Sequence, residues 1–261
     1  MADVLRSGLL ETHGFAHGFS LRTGGVSAPP FDTLNVARNV GDAPAAVEEN
    51  RLRLARAVGH APEKLRETHQ VHGAAVLYVD AGSTAAETRA VEADALLTRH
   101  EGLALGVRTA DCVPLLLADV RTGAVAALHA GWRGLVAGIV PAALRAFATL
   151  CGNRPSEWIA AIGPHIRADA FEVADDVAGR IVAAVGEARA LVRRPGRPHV
   201  DLAIAVRAQL LAAGMRSERI DDVGGCTFAE STRFFSYRRD GTRSGRHLSV
   251  IVARAADRNA S

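Results

Sequence analysis

Residues 109–134 read TADCVPLLLADVRTGAVAALHAGWRG. Two apolar runs, Val113–Ala118 and Ala124–Leu128, have the length and continuity of strands buried on both faces, and the segment between them, DVRTG, is short and ends in glycine. That pattern predicts a hairpin. Antiparallel pairing puts Cys112, just before the first strand, and His129, just after the second, at the same end. A thiol and an imidazole then meet at the rim of a sheet. There the backbone leaves regular pairing, and the second strand runs into GWRG and a helix.

Upstream, ADALLT at 93–98 and LALGVRTA at 103–110 read as two further strands with a turn at His100–Gly102, and Asp94 is placed to cap or orient. The stretch 65–80, LRETHQVHGAAVLYVD, breaks at Gly73 and continues as a strand, Ala74–Val79. His69 and His72 are three apart, so a helical turn would set them on one face. Residues 14–27, GFAHGFSLRTGGVS, suggest a strand and then a tight loop in which Arg22, Gly24 and Gly25 offer a guanidinium and amides to an anion. Asp42 is a candidate N-cap for a helix over Ala45–Val58 that Gly59 ends.

Downstream, Leu135–Leu150 has helical spacing, with Pro141 expected to kink it or start a new turn. Residues 157–162 read as a strand, a helix begins near Ala174, Asp201 caps an amphipathic helix, and Leu248–Ala253 is a terminal strand. RRDGTRSGR at 238–246 reads as a basic loop. There is no internal repeat and no low-complexity linker, so one domain over 1–261 is expected.

Of 261 residues, 48% are apolar and 23% charged, the balance of a globular chain. No apolar run reaches the roughly 20 residues that span a bilayer, and no leader-like apolar segment opens the chain. Three widely spaced cysteines predict reduced thiols and a cytoplasmic setting. A net charge of +3 without a dense basic run argues against nucleic acid as a partner. Lys64 is the only lysine and GxxxxGK[ST] is absent, so arginines are the available anion binders. GxSxG, HExxH and GxGxxG in strand–helix context are absent too.

His72, Cys112 and His129 offer a thiolate and two imidazoles from three turns, a set that suits zinc, with copper as the alternative ion. Three protein ligands leave a fourth position for water or substrate, the arrangement of a catalytic site. A Cys112–His129 nucleophile–base pair with Asp111 or Asp94 as the acid fits the same residues.

The chain resembles the YfiH/YlmD family, which carries both laccase-like polyphenol oxidase and purine nucleoside phosphorylase labels. The resemblance rests on HGFSLRTGGVS (17–27), VEENR (47–51), QVHG (70–73), ADALLT (93–98), TADCVPLLLAD (109–119) and AALHAGWRG (126–134). It continues through IGP (162–164), FEV (171–173), CTF (226–228) and FFSYRRDG with SGR up to Arg246. ESTR at 230–233 departs from common family forms. The resemblance implies an α+β fold, a single-domain α/β sandwich built on mixed β-sheets. It implies metal ligands at His72, Cys112 and His129, and leaves His69 as a surface or capping residue. It further implies an enzyme that splits adenosine, inosine and methylthioadenosine with phosphate and deaminates adenosine, with Arg22, Arg133 and Arg238 as candidate phosphate or substrate groups. The sequence does not set the oligomeric state, for which a monomer is favoured.

Two other activities attach to the family: hydrolytic editing of a muramyl peptidoglycan precursor carrying serine in place of alanine, and copper-dependent phenol oxidation. A multicopper centre needs paired HxH histidines, and none of the ten histidines forms such a pair. A non-catalytic metal-binding protein is the alternative of another class. A fourth protein ligand from His69, His165 or Cys226 would mark it.

Overall fold

The computed structural model describes residues 2–256. In chain order the strands are β1 (Val4–Leu5), β2 (His17–Ser20), β3 (Leu65–Arg66), β4 (Val76–Tyr78), β5 (Ala95–Thr98), β6 (Ala104–Thr109), β7 (Val113–Asp119), β8 (Val125–Ala130), β9 (Trp158–Ile162), β10 (Leu191–Val192), β11 (His199–Val200), β12 (Ile220–Asp222) and β13 (His247–Val252). The helices are α1 (Gly8–Thr12), α2 (Pro44–Val58), α3 (Ala85–Ala90), α4 (Trp132–Ala137), α5 (Ile139–Cys151), α6 (Asp175–Val185), α7 (Leu202–Ala212) and α8 (Tyr237–Asp240).

A six-stranded sheet has the order β12-β9-β7-β8-β5-β4, with β12–β9 and β5–β4 parallel and the inner pairs antiparallel. A five-stranded sheet has the order β1-β2-β13-β6-β3, and its one parallel pair is β3–β6. β10 and β11 form a separate antiparallel ribbon.

The two large sheets stack face to face. Leu116 and Ala118 of β7 and Val125 and Ala127 of β8 meet Leu105 and Val107 of β6 and Ile251 of β13 in one buried cluster. On the opposite face of the six-stranded sheet, Leu115, Leu117 and Leu128 pack under Val140, Leu144 and Phe147 of α5 and Val206 and Leu210 of α7. The outer face of the five-stranded sheet is covered by Leu54 and Val58 of α2, which meet Ala104, Leu248 and Val250. Every residue of β7 is therefore buried. That is why its sequence is apolar without alternation, since neither face of a central strand in stacked layers meets water.

The hairpin forms as expected: Val113 pairs with Ala130 and Pro114 with His129, so Cys112 and His129 share one end. Gly59 ends α2 in the left-handed conformation at φ 91°, and Asp201 caps α7 by accepting from Ile204 N at 2.9 Å. Three local expectations differ. The helix expected over Leu135–Leu150 is two helices, because Gly138 at φ 86° breaks the run between α4 and α5 while Pro141 sits in the first turn of α5. Asp42 does not cap α2: the N-cap is Ala43, and the Asp42 carboxylate accepts from Ser27 Oγ at 2.6 Å and Asn35 Nδ2 at 2.9 Å. The basic segment 238–246 is not plain loop; it holds most of α8 and a 3-10 turn, Gly241–Arg243, with Ser236 capping α8 from its hydroxyl. No helix among the described residues is long and apolar enough to cross a membrane.

Candidate metal centre and its cleft

His72 lies in the QVHG turn between β3 and β4, not on a helix, and its backbone is left-handed at φ 60°. Two side chains hold that turn. Gln70 doubles as a strand residue: its Nε2 donates to Arg108 O and its Oε1 accepts from Arg108 N, each at 2.8 Å, which docks the turn on β6. Asp94, fully buried, accepts from the amides of Val71, His72 and Gly73 at 3.2, 3.0 and 2.7 Å.

The same carboxylate accepts from His129 Nδ1 at 2.7 Å. That bond fixes the His129 tautomer and leaves Nε2 as the lone-pair donor, the usual support of a metal-bound histidine. Asp94, not Asp111, is thus the acid beside the histidine. The Asp111 oxygens are taken by Thr227 Oγ1 at 2.7 Å and Arg238 N at 2.6 Å, so this residue ties the TADC turn to the CTF segment and to α8. Asp111 itself is strained, at φ 99°.

The three expected ligands converge. One donor atom from each of His72, Cys112 and His129 lies within 4.8 Å of the others, with Cys112 Sγ 3.8 Å from His72 Nε2 and the two rings edge to face at 4.6 Å. Gly131 makes the approach feasible, because a Cβ there would meet Cys112 Sγ at 2.8 Å and His72 Cδ2 at 3.0 Å. Burial opposes ionisation of Cys112, but the His129 and His72 rings outweigh it and bring the thiol down to about 6. Burial likewise opposes charge on His129, and Cys112 and Asp94 overcome it and hold the ring up to about 9. The thiol and the imidazole therefore favour each other's charged forms, and a soft cation takes the place of the proton they share.

A thiolate, two imidazoles and a supporting carboxylate suit zinc. Among the described residues the group contains only these three ligands; His69, His165 and Cys226 do not join it. His69 is exposed and bridges to Glu92, while His165 is buried with Nδ1 on Gly163 O at 2.8 Å.

The three side chains line a cleft of about 600 Å³. Trp132, Phe171 and Tyr237 line it too, and guanidiniums lie on these rings: Arg133 over Trp132 at 4.7 Å, Arg238 over Phe171 at 5.1 Å and Arg246 over Tyr237 at 5.3 Å. Arg108, Asn39 and Gln70 line it as well. Of the expected anion binders, Arg133 and Arg238 are in the cleft and Arg22 is not. Arg22 donates from Nε to Asp32 O and from Nη1 to Ser231 O, both at 2.8 Å, and lies over Phe235 at 4.8 Å. The nearby Gly25 amide is occupied by Thr33 Oγ1 at 3.1 Å. Arg22 is bound up in loop packing and free of the cleft chemistry expected of it. Nothing local in the sequence marks Arg108 and Arg246 as cleft residues; the pairing of β6 with β13 brings them together.

The fold and centre together define a class: two stacked mixed sheets with helical outer layers, and a cysteine and two histidines converging at an arginine-lined cleft. A sequence profile of the family described as multi-copper polyphenol oxidoreductase laccase matches residues 16–254. The chain belongs to that family, the YfiH/YlmD family.

A purine nucleoside phosphorylase of Streptomyces coelicolor is 44% identical over 236 residues, covering 90% of this chain and 95% of its own. A purine nucleoside phosphorylase of Deinococcus radiodurans is 41% identical over 235 residues, covering 90% and 88%. Among solved structures, YlmD from Geobacillus stearothermophilus superposes with a TM-score of 0.87 at 32% identity, covering 95% of this chain and 94% of its own.

Proposed function

We propose that the protein is a zinc-dependent purine nucleoside phosphorylase that cleaves adenosine, inosine and methylthioadenosine and also deaminates adenosine. The observation that carries this reading is the convergence of His72, Cys112 and His129 within 4.8 Å on a cleft that also presents arginines and aromatic faces. The names of the relatives support the phosphorylase part of this reading. Three free cysteines agree with a reducing, cytoplasmic setting.

In phosphorolysis the C1′–N9 bond breaks, its electron pair passes to the purine, which gains a proton, and a phosphate oxygen bonds to C1′. Positive charge grows on the ribose ring, so an anion held beside it favours the transition state. Arg133 and Arg238 are the groups assigned to that phosphate. Trp132, Phe171 and Tyr237 supply faces for the base. Deamination exchanges the C6 amino group for the oxygen of water and releases ammonia. Zinc, when bound, supplies Lewis acidity and lowers the pKa of water. Asp94 keeps His129 Nε2 aimed at the ion, and Gly131 leaves room for it. The two reacting carbons, C1′ and C6, lie on different rings, so the nucleoside occupies the cleft in two orientations.

Incubation of the purified protein with adenosine and with inosine, with and without phosphate, tests the reading. Free base and ribose 1-phosphate should appear only with phosphate, inosine should form from adenosine without it, and the same sample should contain zinc. His129→Ala should lose the metal and both reactions while keeping its circular dichroism spectrum. Phosphorolysis that persists in a metal-free variant would overturn the proposal.

A further inference from the structure

The cleft holds more positive charge than one attacking phosphate accounts for. Arg51 and Arg108 share the buried carboxylate of Glu67, which bonds Arg51 directly and lies 3.6 Å from Arg108 Nε. Two guanidiniums on one carboxylate leave a net positive charge. Arg246 stands next to it, two residues before Leu248, the β13 partner of Arg108. Arg246 gives Nη1 to the carbonyls of Ser244 and Gly245 and makes no ion pair with any described carboxylate. Asp111 is the one carboxylate among the described lining residues, and neither of its oxygens goes to a guanidinium.

Burial disfavours the charge of both side chains; Glu67 favours it at Arg108, and Tyr237, Asp111 and Cys112 favour it at Arg246, where Arg108 opposes it least of all. Both side chains line the same cleft, and an anion bound there relieves the cost of their partial burial. Arg108 lies on β6 of the five-stranded sheet, and Arg246 is the residue just before β13. Arg133 comes from α4 and Arg238 from α8, so the arginines reach the cleft from separate elements. Tyr237, under Arg246 and adjacent in chain to Arg238, stands where the two sets meet.

We propose that Arg108 and Arg246 form a second anion subsite, and that it takes a phosphate carried by the nucleoside itself, so that purine nucleoside 5′-monophosphates bind this cleft in preference to free nucleosides. The proposal rests on the reading of the cleft as a nucleoside site. A cleft of about 600 Å³ is of the size that encloses such a ligand.

The test is equilibrium binding of adenosine and of adenosine 5′-monophosphate to the purified protein in phosphate-free buffer at low salt. The monophosphate should bind at least about tenfold more tightly, as charge-assisted bonds to two guanidiniums imply. The preference should weaken with added salt. Arg246→Ala should remove the preference, Arg246→Lys should restore part of it, and Arg133→Ala should leave it in place. Equal affinities for the two ligands would overturn the proposal. So would a preference that Arg133→Ala removes and Arg246→Ala keeps, which would place the ligand phosphate on the other arginines. Adenosine phosphorolysis by the same preparation separates the two readings. Phosphorolysis without the binding preference sinks the subsite alone, and an Arg246-dependent preference without phosphorolysis sinks the enzymatic assignment alone.

Discussion

The Asp94 carboxylate takes bonds from three successive amides of the QVHG turn and from the His129 ring, so one buried side chain sets the backbone of one ligand and the tautomer of another. Asp94→Asn keeps the shape but replaces one acceptor oxygen by a donor. Metal affinity should fall about 10- to 100-fold, read by competition with a chromogenic chelator; an unchanged affinity would show that the carboxylate does not orient His129. Gly131 acts by absence. Gly131→Ala sets a methyl 2.8 Å from Cys112 Sγ, so the variant should fold but bind metal weakly, as metal analysis after dialysis would show. Full metal content would mean that the α4 entry shifts freely. The sequence offered Asp94 as an orienting residue but could not choose it over Asp111, and the role of Gly131 was not legible locally. Asp94 and Asp111 are both acids close to the ligands in sequence, and Gly131 is one of 25 glycines whose importance depends on what packs above it.

At the scale of elements, β7 decides the architecture. Its alternate residues face two different layers, with Leu115 and Leu117 toward the helices and Leu116 and Ala118 toward the five-stranded sheet. Leu116→Ala opens a cavity between sheets that backbone pairing holds in place. It should destabilise the protein by about 2–5 kcal/mol in denaturant titrations, and a loss below about 1 kcal/mol would show that the sheets close over the gap. Elements such as α2, α7, β7 and β8 were readable because their own residues carry the signal: helix formers bounded by Gly59 in α2, an apolar run behind the Asp201 cap in α7, and continuous apolar runs of strand length in β7 and β8. The two-residue strands β1, β3, β10 and β11 were not, since a strand that short is defined by its partner. The same holds for the break at Gly138, where a locally continuous helical pattern is interrupted by a residue that tolerates φ 86°.

At the scale of the molecule, the layered core sequesters histidines that take no part in the centre. Burial lowers His165 and His247 to about 4 from the ordinary 6.5. Their folded values lie below their unfolded values, so the unfolded chain binds more protons between those limits. Stability is then full above pH 6.5 and is lost as pH falls toward 4, by roughly 2 kcal/mol for each histidine at pH 5. Denaturant titrations from pH 7.5 down to 5 should show that decline in the His129→Ala background, where metal binding no longer contributes. A flat profile would mean that these rings are protonated in the fold. Removing the metal with a chelator is expected to abolish catalysis and leave the core intact, since the stacked sheets and their helices do not depend on the ligands for packing.

From the residues alone came the buried hairpin, the long helices, the thiol and imidazole at its rim and, through ordered motifs, the family. These are properties of period, turn chemistry and local spacing, which a chain carries along its length. Folding alone settled that Asp94 rather than Asp111 supports His129, that Arg22 is spent in a loop, and that Arg108 and Arg246 join the cleft. Such facts depend on which strands lie side by side and which carboxylates are already occupied, and distance along the chain holds no record of either.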